Sequence, residues 1–428
     1  MDGKKVPIHI YFIQRKVYGS YIKYTMTTTA ATKERGPSIR YKNAFSEAKK
    51  LMSWNKYLML PLGLWPSKPN DYIFVTFFCF FYYHLFLYHV VLLVSIRSFS
   101  LMRIIGALME NVTMVQVFLR LYTMRRYNKE FGKILEEFGQ DFFEDNYESN
   151  EEKRIFLSYN AQSKRFIRIV VISLGLTAML YFTKPLIRQL SILKHARTGG
   201  KAFTYDLPYR IYFWYKIADL NIFLLTYVSQ IPLLYTIGFT QTAMDCLTLT
   251  LVVHLCGQLG VLSERIRKID FINGTSKLIR AIKRHQELIS AGLMLRKIYR
   301  VCLLGHFLGA AISICTLIYQ LLMSISTGQK TNLVTFFVYG FLNIFRLYTH
   351  CWAGEYLIHE SIKVSNAFYQ CEWYKLPVED QKKIIFCIRR SQKALSLMAG
   401  NFGHFSLVTF TSIMKSAMAY LSFLRNFI

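Results

Sequence analysis

The sequence predicts an all-α polytopic membrane protein: seven transmembrane helices, a cytosolic N-terminus, and a cytosolic helical anchor domain ahead of the last span. Three observations carry that expectation. Of the 428 residues, 53% are hydrophobic and 16% aromatic, and the mean hydropathy is +0.24. A soluble chain this apolar would expose large adhesive patches, whereas a bilayer absorbs the excess. The apolar residues gather into seven runs, and the 53 Lys and Arg that set a net charge of +28 fall mostly between them. That placement fits headgroup-flanking charge. With no RNA- or DNA-binding motif beside it, the basic balance does not imply a nucleic-acid partner.

Residues 1–71 are basic, polar and aromatic, without the apolar core and small-residue cleavage site of a signal peptide. The chain is therefore expected to insert through its first span and leave its N-terminus in the cytosol. The runs cover 72–95, 104–122, 167–181, 217–239, 301–324, 333–351 and 402–423. At 1.5 Å per residue, such helices reach across about 30 Å of hydrocarbon. The third is short, with room to extend through Pro185. The seventh contains Lys415, which would be costly against lipid and is expected to face a packed or watery interior. Four parts follow: a cytosolic segment 1–71, spans one to six with their loops over 72–353, a cytosolic anchor segment 354–399, and the seventh helix with a short extracellular end over 400–428. Lys and Arg are most numerous in the segments this topology places inside, in keeping with the positive-inside rule.

The first inner loop is acidic, from Glu136 through Asp141, Glu144, Asp145 and Glu148 to Glu152, and the second is basic, with Arg265, Arg267, Lys268, Lys283 and Arg284. Its spacing carries spans four and five on as helices into the cytosol. A solvated face and packing between subunits both remain open for these charges. None of the eight cysteines falls in an outer loop, so free thiols are expected. That also disfavours a G-protein-coupled receptor, which usually bridges span three to the second outer loop; no DRY triplet follows span three and no NPxxY ends span seven. His359 and Glu360 open like a zinc-protease motif, but Lys363 occupies the second ligand position. His350 beside Cys351 reads as a packed polar pair. The sequons at Asn111 and Asn273 fall in a span and in the cytosol and are expected to be unused, and Gly305 with Gly309 lets another helix approach span five closely. No phosphate loop, nucleophile elbow or carboxylate pair indicates an enzyme, and no cofactor is implied.

The C-terminal sixty residues carry a family resemblance. Tyr369, Cys371, Trp373, Tyr374, Leu376 and Pro377 are followed by Gln381, Lys382, the run from Arg390 to Lys393, Ala399, Gly400 and Phe402, then Ser406, Phe410, Ile413, Lys415, Tyr420 and Leu424. Trp54, Asn55 and the run from Leu62 to Pro66 precede span one, and His254 with Leu259 follow span four. This order and spacing resemble the insect odorant receptors. Two departures stand out: Ala394 occupies a place usually held by proline, which would soften the break before the last helix, and the N-terminus is longer than usual, with Met26 as a candidate functional start. Gustatory receptors of the same superfamily are the nearest alternative, and Ala419–Tyr420 with Asn426–Phe427 only loosely echo their ending. The shared co-receptor of the odorant branch has a longer second inner loop, so the chain is similar to the ligand-selective subunits.

The resemblance implies an odorant-gated cation channel in the plasma membrane of a sensory-neuron dendrite, with four subunits, the co-receptor among them, around one pore. It places a small volatile hydrophobic ligand in the outer half of the bilayer between spans two, three, four and six. On this chain the corresponding candidates are Met109, Thr113, Thr177, Tyr181, Phe223, Tyr227, Phe336 and Tyr339. It places the pore along helix seven, where Phe423 would exclude water, Asn426 would replace part of an ion's hydration shell, and Lys415 would face the lumen beside hydroxyl-bearing residues. Trp373, Tyr374, Leu376 and Arg390 are the expected subunit anchors.

Overall fold

The computed structural model describes residues 37–425 apart from 67–69, 98–100, 197–206, 210, 216, 218, 271 and 327–329. The first helix, α1 (Pro37–Met59), buries Phe45, Ala48, Leu51, Asn55 and Met59 along one stripe, the i, i+3, i+4 spacing of an amphipathic helix. Asn55 Nδ2 donates to Thr250 Oγ1 at 2.9 Å, fixing this helix to the centre of the molecule. The chain then turns at Gly63 (φ 68°), where a Cβ would lie 2.6 Å from the Asn70 carbonyl oxygen. Only glycine adopts that backbone without strain. The Leu-Gly-Leu-Trp-Pro run is thus the corner that redirects the chain into span one.

The spans are α2 (Asp71–Arg97) and α3 (Leu101–Arg126), then, after α4 (Asn128–Gln140), α5 (Asn150–Ala196). Next come α6 (Leu220–Ser229) with α7 (Ile231–Arg267), then α8 (Gly274–Ser326), α9 (Lys330–Gln370) and finally α11 (Leu407–Arg425). Between the last two lie α10 (Val378–Ser391) and a two-stranded antiparallel hairpin, β1 (Met398–Ala399) and β2 (Gly403–His404). Among the described residues, five stretches are long and apolar enough to cross a membrane by length and composition alone. Helix α9 falls short because Asn343, Arg346 and His350 interrupt it.

The bundle is built around α7. Its apolar window is 94% buried, against 22% for α2, whose outward side is left for lipid. Helices α1, α5, α8 and α9 all pack on α7, while α3 packs on α2 and α8. An axis helix in an apolar medium must satisfy its own polar groups, and it does so with threonines: Thr248 and Thr250 each donate to the carbonyl four residues earlier at 2.7 Å. Gly305 and Gly309 of α8 face α3, where added Cβ atoms would meet Leu119 and Gln116. The close approach expected of that spacing is an intrachain helix contact.

Four sequence expectations are corrected. Span three extends through Pro185, as its length left room for, but as a helix of 47 residues it begins far below the apolar run. Span four is broken at Gln230, because Pro232 in the first turn of α7 has no N–H to continue α6. The Gln230 side chain closes the gap by pairing with both backbone groups of Tyr209 at 3.0 Å. The break before the last helix is sharp despite Ala394. Helix α10 stops at Ser391, Ser361 Oγ accepts the Leu395 N–H at 3.0 Å, and Gly400 (φ 56°) turns the hairpin and donates to the Arg300 carbonyl at 3.0 Å. The hairpin therefore delays the seventh helix from residue 402 to Leu407. Gly354 of α9 is what admits it, since a Cβ there would collide with the Phe405 carbonyl.

The acidic and basic loops meet each other within one chain. Asp141 is reached by Arg284 at 2.6 Å and by His254 at 3.0 Å, Glu152 by Arg265 at 2.9 Å, and Glu148 by Arg280 at 3.4 Å. These pairs tie the α4–α5 connection to the ends of α7 and α8, so neither a purely solvated face nor an intersubunit contact is needed to account for them. Helix α8 spans about 80 Å at 1.5 Å per residue, far more than about 30 Å of hydrocarbon. Helices α7 and α8 thus continue past the bilayer into a helical base, as their spacing predicts.

Candidate functional site

Inside the bundle lies a cavity of about 70 Å³ between α5, α7 and α9. Val170, Ser173, Leu174 and Thr177 line it from α5, Gln241, Thr242 and Asp245 from α7, and Tyr339, Leu342, Asn343 and Arg346 from α9. The helical period supplies this lining: positions 170, 173, 174 and 177 lie on one face of α5, and 339, 342, 343 and 346 on one face of α9. Apolar walls with hydroxyl and amide groups between them form a chamber that holds a small molecule by burial and orients it by hydrogen bonds.

Its floor is charged. The Asp245 carboxylate accepts from Arg120 of α3 at 3.0 Å and from Arg346 of α9 at 2.6 Å. His350 stands 3.4 Å from the same carboxylate, and its ring lies 4.6 Å from that of His306 on α8. Gln241 Oε1 accepts from Arg346 Nη1 at 2.5 Å. One buried carboxylate therefore joins spans two, four and six, with span five beside it. Buried ions in a bundle are retained only when paired, and such positions mark functional sites by default. His350 belongs to this cluster and is not the simple packed neighbour of Cys351 that the sequence implied.

Of the eight expected ligand contacts, Thr177 and Tyr339 line the cavity. Met109 and Thr113 sit half-buried on α3, one turn apart, with Thr113 Oγ1 donating to the Met109 carbonyl at 3.1 Å. Phe223 and Tyr227 are buried in the packing of α6 on α5, where Tyr227 meets Phe182 edge to face at 5.0 Å. Phe336 is half-buried one turn above Tyr339, outside the cavity lining. The side chain of Tyr181 lies outside the described residues. The charged floor was not named from the sequence, although Arg120 and Arg346 stand within apolar runs and an ionisable residue in such a run is the signal to follow. Asp245 lies six residues past the end expected for span four.

On α11, Phe410, Ile413, Met414 and Ala417 pack on α8 and α9, leaving Val408, Thr411, Ser412, Lys415, Ser416 and Phe423 exposed along the other side. Lys415 is therefore not packed within its own chain, and Asn426 lies outside the described residues. In the base, Trp373 and Tyr374 are exposed on a short 3-10 turn. Leu376 is 4% exposed and tucks against Gly274 at the start of α8. It is buried within its own chain. Arg390 is half-buried. Burial pushes the Cys387 thiol of α10 up to about 11; all eight cysteines are free. Asn111 is buried, with Nδ2 donating to the Tyr88 carbonyl at 3.0 Å, which removes it as a glycosylation site. Among the described residues there is no group of three metal-ligating side chains.

A larger cleft of about 610 Å³ opens in the base beside Asp141, Tyr147, Gln258, Arg265 and Arg284. Arg284 there is already committed to Asp141 and Gln258, and Arg265 to Glu152. The small cavity is the better ligand site, because it is set among the spans and its lining combines apolar walls with polar groups.

These features define a seven-helix membrane receptor fold with a chamber inside its helices. Residues 100–418 match the family model described as 7tm Odorant receptor, and the chain belongs to that family. Odorant receptor 22c of Drosophila melanogaster is 24% identical over 326 residues, covering 72% of this chain and 78% of that receptor. Odorant receptor 13a of the same insect is 23% identical over 339 residues, with 72% and 76% covered. The fold is similar to the insect olfactory receptor OR5 from Machilis hrabei in complex with eugenol, at a TM-score of 0.73 and 14% identity, covering 89% of this chain and all of the other.

Proposed function

We propose that this chain is the ligand-selective subunit of an odorant-gated, non-selective cation channel that works with a shared co-receptor in a tetramer at the plasma membrane of a sensory dendrite. The observation that carries the reading is the chamber between α5, α7 and α9, which sits among the spans of an odorant-receptor bundle and includes Thr177 and Tyr339. A small volatile ligand buried there would bind through about 25 cal/mol per Å² of apolar area before ordering costs. It gates only by fitting the open arrangement better than the closed one. The exposed, hydroxyl-rich side of α11 with Lys415 and Phe423 is left for a pore shared with other subunits, which supports the conducting role of that helix. Trp373 and Tyr374, exposed on the base, are available to neighbouring subunits, and Arg390 to an acidic partner. In this arrangement the base and the N-terminus lie in the cytosol.

Whole-cell current from cells expressing the chain with the co-receptor, recorded over a panel of volatiles, tests the reading. Ligand-evoked cation current that requires both chains supports it. Surface-delivered receptor that stays silent across the panel, or an N-terminal tag reachable without permeabilising the cell, contradicts it.

A further inference from the structure

The charges beneath the cavity do not balance. Arg120 and Arg346 bring two cations, and among the described residues Asp245 is the one carboxylate within ion-pair distance of either. Guanidinium groups stay protonated in proteins, so neither arginine can discharge to restore neutrality. Arg346 has five N–H donors. It spends Nε and one Nη2 hydrogen on Asp245 and one Nη1 hydrogen on Gln241. Two donors remain, one on each terminal nitrogen, for a further anionic acceptor. The side chain lines the cavity and is 20% accessible, whereas Arg120 is 2% accessible and serves Asp245 from behind.

Resting on the reading of this cavity as the odorant site, we propose that it takes small organic carboxylates, held by the two spare donors of Arg346. The anion would bring the cluster to two cations and two carboxylates. The Ser173 and Thr177 hydroxyls are spent on the Val170 and Ser173 carbonyls, which leaves the Tyr339 hydroxyl as the further donor at this space, and Val170, Leu174 and Leu342 receive a short alkyl tail. Size narrows the class. A cavity of about 150 Å³ takes a benzene, so about 70 Å³ favours the shortest acids over hexanoate. Aliphatic acids titrate near the Glu value of about 4.3, so nearly all of the ligand is anionic at neutral pH.

The test uses full-length receptor with its co-receptor in lipid vesicles and reads binding of carbon-13-labelled propionate by saturation-transfer NMR, beside propanal, propanol, acetate, butyrate and hexanoate. The chain is expected to bind acetate to butyrate, to reject hexanoate, and to bind propionate over propanal. Gln241→Glu keeps an acceptor on Arg346 and supplies the missing carboxylate. With an unchanged thermal midpoint it should weaken propionate binding about 10- to 100-fold, the range of a charged hydrogen bond. Should that variant not fold, Arg346→Lys keeps the charge but loses the guanidinium's extra donors, and unaltered propionate binding there overturns the proposal. So does equal binding of propionate and propanal by the unaltered chain, or full propionate binding by a folded Gln241→Glu. Current evoked by neutral volatiles without propionate binding overturns the carboxylate class and leaves the channel reading standing. Propionate binding with no current from any volatile does the reverse.

Discussion

Replacing Asp245 by asparagine leaves two guanidiniums facing each other inside the bundle with no counter-charge. The wild-type carboxylate holds Arg120 at 3.0 Å and Arg346 at 2.6 Å, and its side chain is 4% accessible. Removing one partner of a buried pair costs about 3–5 kcal/mol. Two cations are stranded here, but Arg346 borders the cavity and recovers some hydration, so the same range applies. At about 1.4 kcal/mol per decade, the folded population relative to unfolded falls by two to more than three orders of magnitude, a large share of a typical margin of about 5–15 kcal/mol. Arg346→Gln behaves differently, because it leaves one cation paired with one carboxylate. Its cost is that of lost hydrogen bonds, about 1–3 kcal/mol. The double variant should be more stable than Asp245→Asn alone, the non-additivity expected when charge balance is restored. Thermal midpoints of purified receptor in lipid discs, with surface delivery in cells, measure all three. A wild-type midpoint for Asp245→Asn, or equal damage from Arg346→Gln, would refute the reasoning.

Three further outcomes follow from the packing. Gly354→Val drives a side chain into the Phe405 carbonyl and should cost about 1–3 kcal/mol, seen as a lowered thermal midpoint; no change would mean that the hairpin does not seat on α9. Leu376→Ala opens a cavity under α8 and should destabilise the chain by about 2–5 kcal/mol, whereas Trp373→Ala should leave its midpoint alone and reduce co-assembly with the co-receptor, read by subunit counting. Cys387, with its thiol pushed up to about 11 by burial, should resist maleimide at pH 8, where only about a thousandth is thiolate. Labelling should rise as the pH approaches 11 or the protein unfolds, and rapid labelling at pH 8 in the folded receptor would contradict that burial.

Hydropathy made the bundle legible, and the spacing of small and turn residues located several contacts in advance. Gly305 and Gly309 announced a close helix approach, and the long basic helices below spans four and five were read from their period. What stayed hidden was tertiary. Nothing local in residues 398–406 says hairpin, because its strands are two residues each and its support comes from Arg300 and Gly354, far away in the chain. The polar residue Gln230 sits in an apolar run, and only its partner Tyr209 explains it. The candidate ligand site was half visible: Thr177 and Tyr339 were named, but Asp245 lay past the expected end of its span and its arginines sat on two other helices. Aromatics such as Phe223 and Tyr227 are buried outside the cavity lining, and packing and binding draw on the same residue types.

The most direct test of the ligand site fills it. Leu342 lines the cavity, and Leu342→Trp adds a side chain larger than the space can share with a ligand. Evoked current should then disappear across the volatile panel while the variant still reaches the surface. Current at the wild-type half-maximal concentration, from receptor carrying that tryptophan, would show that odorants are sensed somewhere else.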